Sequence, residues 1–409
     1  RDQREKSDAY FEGTYWLLLW NFLLTVAISL LLLWSHTSAR LRDFAERSTP
    51  IEIAESMSRS RRLVSQFVNC SRAARRFKPV QVGLYAVFYL IIASVLSFPL
   101  LVYENFFREH QYAMATQNFG QWFNEQLIGL AVALVLGTIA LVVLYAVFRR
   151  APRSWWVWGT IVAMILFTIG MFISPVYIEP LFNTYKPIED PAVKEPILAM
   201  ARANEIPVTQ VFEVDASRQT KRISANVAGF LGTTRIALND NLLNQCTLPE
   251  IREVMAHEMG HYVLNHTAKL ITYLSIFVFV GFALGRILFH AAVKRWGERW
   301  CVRGIADPAG LPLLVLIYSV LAFVLTPFSN TLIRVTEREA DAFSINTCRE
   351  PGGMAKVALK LGAYRKLDPS PLEEFIFFDH PSGRARIRMA MDWKAAHLPA
   401  GETSSNESR

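Results

Sequence analysis

The sequence predicts a mainly α-helical, polytopic membrane protein that carries a small α+β domain between its spans. Of the 409 residues, 52% are hydrophobic and only 19% are charged. The apolar residues gather in six long runs, and each run is long enough to cross about 30 Å of hydrocarbon as a helix. The polar segment 177–269 separates the fourth run from the fifth and has the character of a domain.

Four of the predicted spans lie in an N-terminal membrane region, residues 1–176, and two more lie in residues 270–328. Trp16, Trp20 and Trp34 sit near the ends of the first span, where amphipathic rings favour the membrane interface. The predicted spans are 15–34, 82–103, 127–148, 155–176, 270–291 and 311–328.

The net charge of +8 comes largely from short loops between the apolar runs. On a soluble protein this excess would suggest nucleic acid as a partner. Here the basic residues crowd the loops 35–81, 149–153 and 294–303, which is typical of membrane topology. We therefore expect membrane lipids, and no nucleic acid, as partners.

The four cysteines are far apart and form no C-x-x-C pair, so we predict neither a disulfide framework nor a cysteine metal site. They are Cys70, Cys246, Cys301 and Cys348.

The segment 177–269 alternates helical and strand-like patterns. A helix is predicted at 191–204, and short strands are predicted at 208–214, 223–230 and 233–238. Thr247-Leu248-Pro249-Glu250 is a capping box with proline in the first turn, so a helix begins there. We expect that helix to run on into the fifth span. Further helices are expected at 331–344 and 352–366, within a C-terminal part at 329–398, and residues 399–409 are expected to be disordered.

The helix that begins at Thr247 contains the sequence His257-Glu258-Met259-Gly260-His261, which reads H-E-x-x-H. Two histidines four residues apart on a helix face the same way and can bind one zinc ion. Glu258 is then placed to take a proton from a water activated by that ion. The odds that such a motif occurs by chance in this chain are about one in a hundred, so the context must supply a third ligand.

Two residues compete for the third position. His266 lies roughly opposite His257 on a continuous helix, which favours a structural role. Glu337, with Asp341 one turn later, is the better candidate: Glu337 would bind the ion and Asp341 would hold a ligating histidine. The spacing alone fits equally well with a charged amphipathic helix that carries Arg–Glu pairs. Glu339 faces away from Asp341 and is expected to be solvated or paired.

Four motifs in order resemble the integral-membrane zinc peptidases of the CAAX prenyl protease type 1 family, of which the HtpX heat-shock protease is a smaller relative. They are SANVAGF at 224–230, HEMGH at 257–261, RVTEREAD at 334–341 and HPSGRAR at 380–386. The resemblance implies a gluzincin-like domain with one zinc ion bound by His257, His261 and Glu337, and Glu258 as the general base. Asp341 and Arg334 are expected to support these ligands.

The resemblance also implies roles outside the ligand set. The strand around Asn226, with Ala225, Val227 and Gly229, resembles an edge that holds an extended substrate by strand addition. His380 and Arg386 resemble catalytic groups that stabilise the oxyanion or organise the site. Without the resemblance, His380 would be read as a loop corner and Arg386 as a surface charge.

The chain departs from the family in its number of spans. Members of the family resemble one another in having seven spans around a large hydrated chamber, whereas six spans are counted here. The missing span would fall in the arginine-rich stretch 35–81. With six spans, both termini and the segment 177–269 share one side. The positive-inside rule puts that side outside the cytoplasm, whereas the resemblance argues for a cytoplasmic site, which we follow, in a bacterial inner membrane or an endoplasmic-reticulum-type membrane.

The predicted function is that of a membrane-embedded zinc endopeptidase acting on membrane-associated or lipid-modified proteins, including C-terminal CAAX-type processing. Membrane-protein quality control of the HtpX type is the alternative within the same class. A six-span transporter or a non-catalytic scaffold is the alternative from another class, but the spans contain essentially no ionisable residues of the kind that mark transport pathways. The oligomeric state is left open.

Overall fold

The computed structural model describes residues 2–49, 59–228 and 234–398, except for the side chains of 2–3 and 59–77. Six helices within these ranges are long and apolar enough to cross a membrane, which confirms the predicted fold class. They are Arg4–Trp34, Lys78–Gln111, Phe119–Arg150, Trp155–Leu181, His266–Trp300 and Pro308–Cys348.

The described part of the chain contains fourteen α-helices, and two of the long ones pass through a π-helical turn, at Tyr103–Phe107 and Ser174–Ile178. The helices of the membrane region are α1 Asp2–Trp34, α2 Thr37–Arg47, α3 Arg59–Val102, α4 Arg108–Gln111, α5 Phe119–Arg150 and α6 Trp155–Ile173. Those that follow are α7 Pro191–Ala203, α8 Asp240–Gln245, α9 Leu248–Val263, α10 His266–Trp300, α11 Leu311–Cys348, α12 Pro351–Leu361, α13 Pro371–Phe377 and α14 Gly383–His397.

The long helices extend beyond the predicted apolar runs because a helix, once nucleated, adds each further residue at little cost. Their middle portions expose large apolar side chains, as expected of surfaces that face lipid. Examples, one from each span, are Leu31, Val95, Val135, Ile165, Ile287 and Val324.

The membrane helices pack on one another around a cluster of large buried side chains. Leu33, Tyr85, Trp155, Phe289 and Leu313 are each at most 2% exposed. They come from five different helices, so this cluster fixes the spans against one another.

The segment between the fourth and fifth spans forms a four-stranded sheet in the order β1-β2-β4-β3. Its strands are β1 Tyr185–Pro187, β2 Val211–Val214, β3 Ala225–Ala228 and β4 Arg235–Asn239. β2 pairs with β4 in parallel, and β3 pairs with β4 antiparallel, with Asn226 opposite Ala237. The sequence analysis missed β1, whose three residues are too few to form a pattern. Helices α7 and α9 cover the sheet, and Ile197, Ile236 and Met255 are fully buried between them.

The expectation that the H-E-x-x-H helix continues into the fifth span is wrong. Helix α9 ends at Val263, and α10 begins at His266 after Asn265, which has a left-handed conformation (φ 54°). Asparagine tolerates this conformation better than most residues. By contrast, the sixth span and the predicted helix at 331–344 form the single helix α11.

The N-terminal end of α1 contacts the C-terminal part of the chain. Tyr15 donates a hydrogen bond to Glu373 at 2.8 Å, and Lys366 forms an ion pair with Glu12 at 2.6 Å. One end of the molecule therefore gathers the N-terminal helix, the sheet and α12 to α14. The loops at 150–154 and 301–310 lie at the other end of the spans, beside α2, where Arg42 pairs with Asp307. The predicted disordered tail at 399–409 lies outside the described residues.

Candidate active site

Helix α9 is fixed at its start by the predicted capping box, which the structure confirms. The backbone N–H of Thr247 donates to Glu250 at 2.6 Å, and Lys360 pairs with the same carboxylate at 2.7 Å. The burial of Glu250 raises its pKa, but the hydrogen bonds from Lys360 and Thr247 prevail and lower it below the ordinary value. The helix therefore starts at a defined residue, and this sets the direction in which His257, Glu258 and His261 point.

Gly260 allows α9 to approach α11 closely. A Cβ atom at this position would lie 3.0 Å from Phe343 Cδ1 and 3.3 Å from Ala340 Cα. Since Ala340 follows Glu337 by three residues on α11, this close approach brings the acidic face of α11 against the two histidines of α9. The second variable residue of the H-E-x-x-H motif, Gly260, is therefore determined here by helix packing.

Side chains from the two helices converge on one point. The Nε2 atoms of His257 and His261 are 3.2 Å apart, and Glu337 oxygens lie 3.2 Å from His257 Nε2 and 3.4 Å from His261 Nε2. Among the described residues, these three form the group able to hold a metal ion.

The separations match the edges of a zinc coordination tetrahedron. Bonds of about 2.0–2.1 Å at tetrahedral angles place the ligand atoms about 3.3–3.4 Å apart. Two imidazole nitrogens and a carboxylate oxygen at this spacing can all bind one metal cation. A single proton could not bridge all three acceptor atoms at once. The residues present therefore fit a zinc ion with two histidine ligands and one glutamate ligand.

Asp341 supports His257 from behind. Its Oδ1 lies 2.9 Å from His257 Nδ1, the nitrogen that faces away from Glu337. Burial opposes the charged form of His257, but its hydrogen bonds to Asp341 and Glu337 outweigh burial and raise its pKa to about 10. Arg386, which is 9% exposed, pairs with Asp341 at 2.9 Å and with Glu337 at 3.3 Å. Arg386 therefore organises the two acidic side chains and touches both.

His266 supports His261 in the same way; the sequence analysis favoured a structural role for His266 but did not foresee this contact. Its Nδ1 lies 2.9 Å from His261 Nδ1, and its Nε2 lies 3.0 Å from Glu339, which also pairs with Lys269. The helix break at Asn265 turns His266 back towards α9, so the assumption of a continuous helix hid this contact. Burial, together with the charge on His257, lowers the pKa of His261 to about 4.

His380 reaches the site from the loop between α13 and α14. Its Nε2 lies 3.3 Å from Glu337 Oε2, and its Nδ1 lies 2.8 Å from Asp379 Oδ1. Burial raises the pKa of Asp379, but its hydrogen bond with His380 prevails and lowers it below the usual value, so the carboxylate holds the ring in place. Asp379 was not singled out from the sequence. Its position directly before the His-Pro pair is the signal that would have found it.

Arg334 does not touch the ligand side chains, so the expectation that it supports them directly is corrected. Its guanidinium donates to the backbone carbonyls of Glu374, at 2.8 Å, and Phe378, and to Thr331 Oγ1 at 3.0 Å. Arg334 therefore fastens α11 to the loop that presents His380. Arg386 makes the direct contacts instead.

Glu258 lies beside the two histidines at the edge of a cavity of about 270 Å³. Burial raises its pKa to about 7, and the negative charge of Glu337 adds to this effect. A carboxylate with this pKa exchanges protons readily near neutral pH, which suits a general base.

Strand β3 forms the edge of the sheet next to this cavity. Ile223, Ser224 and Ala225 line the cavity, and β3 pairs within the described residues with β4 alone. Asn226 and Val227 lie on this edge strand, and the Asn226 side-chain oxygen is buried without a hydrogen-bond partner among the described residues. Gly229, which was also expected to contact substrate, lies outside the described residues.

Glu253, one turn before His257, is a buried acid that sequence reasoning missed. It is 3% exposed and accepts hydrogen bonds from Ser344, at 2.6 Å, and from Cys348, both on α11. Burial raises its pKa against the effect of these two hydrogen bonds. It strengthens the contact between the two helices that carry the converging side chains.

Comparison with known proteins assigns both halves of the chain. Residues 187–394 match the model of peptidase family M48. Residues 2–184 match a model described as the CAAX prenyl protease N-terminal region with five membrane helices, and the described part of this range contains four candidate spans.

Two curated relatives illustrate the match. An uncharacterised metalloprotease of Bacillus subtilis, YhfN, is 32% identical over 282 residues, which cover 68% of this chain and 66% of that protein. CAAX prenyl protease 1 of Saccharomyces cerevisiae is 26% identical over 323 residues, which cover 74% of this chain and 70% of that protein. The matches thus span about two thirds of the length of these relatives.

The crystal structure of Ste24p from S. mikatae has the same fold. It superposes with a TM-score of 0.64 over 91% of this chain and 98% of that chain, at 20% sequence identity. Since the match to the M48 model covers half of the chain and a second model covers the membrane region, the resemblance inferred from the motifs is confirmed, and the chain belongs to peptidase family M48 as a multi-pass membrane metallopeptidase.

Proposed function

We propose that the protein is a zinc endopeptidase that hydrolyses peptide bonds in proteins delivered at the membrane. One observation carries this proposal: the three side chains of His257, His261 and Glu337 converge at 3.2–3.4 Å with Glu258 beside them. Three protein ligands leave a fourth position for substrate chemistry, which distinguishes a catalytic zinc site from a structural one.

The chain's own residues perform the proton transfers. When bound, zinc acts as a Lewis acid that acidifies water and polarises the scissile carbonyl. Glu258 accepts the proton of the attacking water and delivers it to the leaving amine, and its pKa of about 7 suits both steps. His380, oriented by Asp379, donates an N–H to the developing oxyanion. Arg386 keeps Glu337 and Asp341 in place throughout.

The substrate is proposed to be an extended peptide that adds to the edge of the sheet. Within the described residues β3 pairs on one side only and lies beside the cavity, and strand addition supplies backbone hydrogen bonds regardless of sequence. Asn226, Ala225 and Val227 would contact the peptide. Glu337 lies on a helix that continues from the sixth span, so the site opens close to the membrane surface.

C-terminal processing of CAAX-type, lipid-modified proteins is the proposed substrate class. The name of the yeast relative, CAAX prenyl protease 1, supports this choice. Quality-control cleavage of membrane proteins is the alternative, because a site close to the membrane surface could also receive such substrates. The transporter and scaffold alternatives are set aside because the chain belongs to a peptidase family.

The test is cleavage of a farnesylated CAAX-type peptide and of its unmodified twin by the purified protein in lipid nanodiscs. We expect one zinc per chain by elemental analysis, loss of cleavage on chelation, and recovery when zinc is added back. Preference for the farnesylated peptide supports CAAX processing, and equal cleavage of both peptides supports the quality-control alternative. A protein that binds no zinc and cleaves neither peptide would contradict the proposed function.

We propose that the site faces the cytoplasm, following the family resemblance. The basic loops at the opposite end of the spans argue for the reverse orientation. In a chain whose native cysteines are replaced by serine, Lys356→Cys reports the site face and Arg153→Cys reports the opposite face; both positions are exposed. Protection of Lys356→Cys in intact cells from a membrane-impermeant thiol reagent, with labelling of Arg153→Cys, is the expected result. The converse pattern would refute this orientation.

A further inference from the structure

Arg365 is a charged side chain in the catalytic cavity that no step of the proposed mechanism uses. It follows α12, and it lines the same cavity as Glu258 and His380. Among the described residues, no side-chain hydrogen bond or ion pair engages it. Burial lowers its pKa and the charge of Arg386 adds to this effect, whereas the charges of Asp379 and Glu337 act against it.

The other basic side chains of this cavity are already paired. Arg386 pairs with Glu337 and Asp341, His257 pairs with the same two carboxylates, and His380 pairs with Asp379. Arg365 is therefore the cation of the described lining that remains available to an incoming anion. A guanidinium binds carboxylates through two parallel hydrogen bonds, so a carboxylate is its natural ligand.

The rest of the cavity is suited to a short apolar peptide end. Met354, Val357, Ala358 and Leu361 form one wall, and Leu242 contributes to another. The volume of about 270 Å³ lies just below the ~300–1,000 Å³ of pockets that enclose drug-sized ligands. A few residues fit in such a space, whereas a continuing chain would have to leave it again.

The direction of the edge strand determines which end of the substrate enters the cavity. Residues Ile223 to Ala225, at the start of β3, line the cavity, and the strand runs away from it towards Ala228. Antiparallel pairing is the slightly more stable arrangement of two strands. A substrate added antiparallel to β3 therefore points its C-terminal end towards the start of the strand, and so into the cavity.

We infer that Arg365 binds the C-terminal α-carboxylate of the substrate, so that the enzyme measures its cleavage site from the end of the chain. This inference rests on the proposed peptidase function and adds to it the residue that would recognise the free C-terminus of the substrate. Two acids of the lining are already engaged: Glu253 accepts hydrogen bonds from Ser344 and Cys348, and Asp341 pairs with His257 and Arg386.

The test compares two peptides that differ only at the C-terminus, a farnesylated CAAX-type peptide as the free acid and as the amide. For the wild-type protein we expect kcat/KM to be about 10–100-fold higher for the acid, mainly through KM, since a hydrogen bond to a charged group supplies that difference. Arg365→Met should lower the value for the acid to that for the amide and leave the amide unchanged. Arg365→Lys should restore part of the preference, because lysine keeps the charge without the planar fork.

Arg388→Met is the matched control, since Arg388 is exposed on α14 and its loss removes the same charge. It should keep the wild-type preference. The inference is overturned if the wild-type protein cleaves acid and amide equally, or if Arg365→Met loses both activities alike while its zinc content and melting temperature stay normal.

A binding measurement separates this inference from the proposed function. Fluorescence anisotropy of labelled acid and amide peptides on zinc-loaded Glu258→Gln requires no turnover. Tighter binding of the acid that Arg365→Met abolishes in this background supports the carboxylate site even if no cleavage is found. Equal binding of the two peptides refutes it, even if the wild-type protein proves to be an active peptidase.

Discussion

His266 Nδ1 lies 2.9 Å from Nδ1 of His261, and its other ring nitrogen lies 3.0 Å from Glu339. This relay mirrors the one formed by Asp341 on His257, so each proposed histidine ligand is held from behind by a side chain of another helix. A ligating histidine almost always uses its second nitrogen in this way, which fixes its tautomer and orientation.

Replacing His266 should weaken metal binding without removing a ligand. For His266→Leu we expect zinc affinity to fall about 10–100-fold, measured by competition with a chromophoric chelator at fixed pH. Glu339→Gln should have a smaller effect in the same direction. His397→Ala, at an exposed histidine of α14, is the control and should bind zinc normally. Unchanged affinity in His266→Leu would show that the contact is incidental.

Glu258→Gln should separate metal binding from turnover. The amide keeps the size of the side chain but cannot accept the proton, so we expect a loss of kcat of at least about 10²–10⁴-fold with one zinc still bound. The comparison requires peptide kinetics and elemental analysis on the same preparation. Full peptidase activity in this variant would rule out Glu258 as the base.

Gly260→Val should push α9 away from α11. The added atoms meet Phe343 and the backbone of Ala340, so we expect a loss of about 1–3 kcal/mol in stability and weaker zinc binding, since the ligands come from both helices. Thermal unfolding in detergent and chelator competition measure the two effects. Gly352→Val is the control because a Cβ there meets no atom within 4 Å. Equal melting temperatures for the two variants would contradict the packing argument.

Glu253→Gln should change how stability depends on pH. Burial raises the pKa of Glu253 above its ordinary value of 4.5, so the folded protein binds this proton more tightly than the unfolded chain does. The free energy of unfolding that this proton contributes is fully present below the ordinary pKa. It is lost as pH rises through the raised pKa of the folded protein. Because glutamine cannot ionise, the melting temperature of the variant relative to wild type should rise as pH increases above the ordinary value of 4.5.

The same comparison with Glu205→Gln, at an exposed glutamate, provides the reference. If the melting-temperature difference between Glu253→Gln and wild type does not change with pH, Glu253 is ionised in both the folded and the unfolded protein over the pH range measured.

Much of this protein could be predicted from local patterns. Six apolar runs of membrane length, the capping box at Thr247 and the four-residue spacing of His257 and His261 depend only on neighbouring residues. For this reason the spans, the start of α9 and the proposed ligand pair could be read directly from the sequence. Family motifs added Glu337, whose role the spacing alone left undecided.

Other features were decided by contacts between residues distant in the chain. The left-handed Asn265 ends α9 and brings His266 behind His261, whereas the sequence analysis expected one continuous helix. Arg334 and Arg386 look alike in sequence, but only packing shows that Arg386 reaches Glu337 while Arg334 fastens a loop. Arg365 belongs to none of the sequence motifs. Whether it can bind an incoming anion depends on which carboxylates are already paired with the neighbouring basic side chains. Local sequence therefore determined the helices and the spacing of the proposed ligands. The tertiary structure decided which side chains support those ligands and which side chain of the cavity is left without a partner among the described residues.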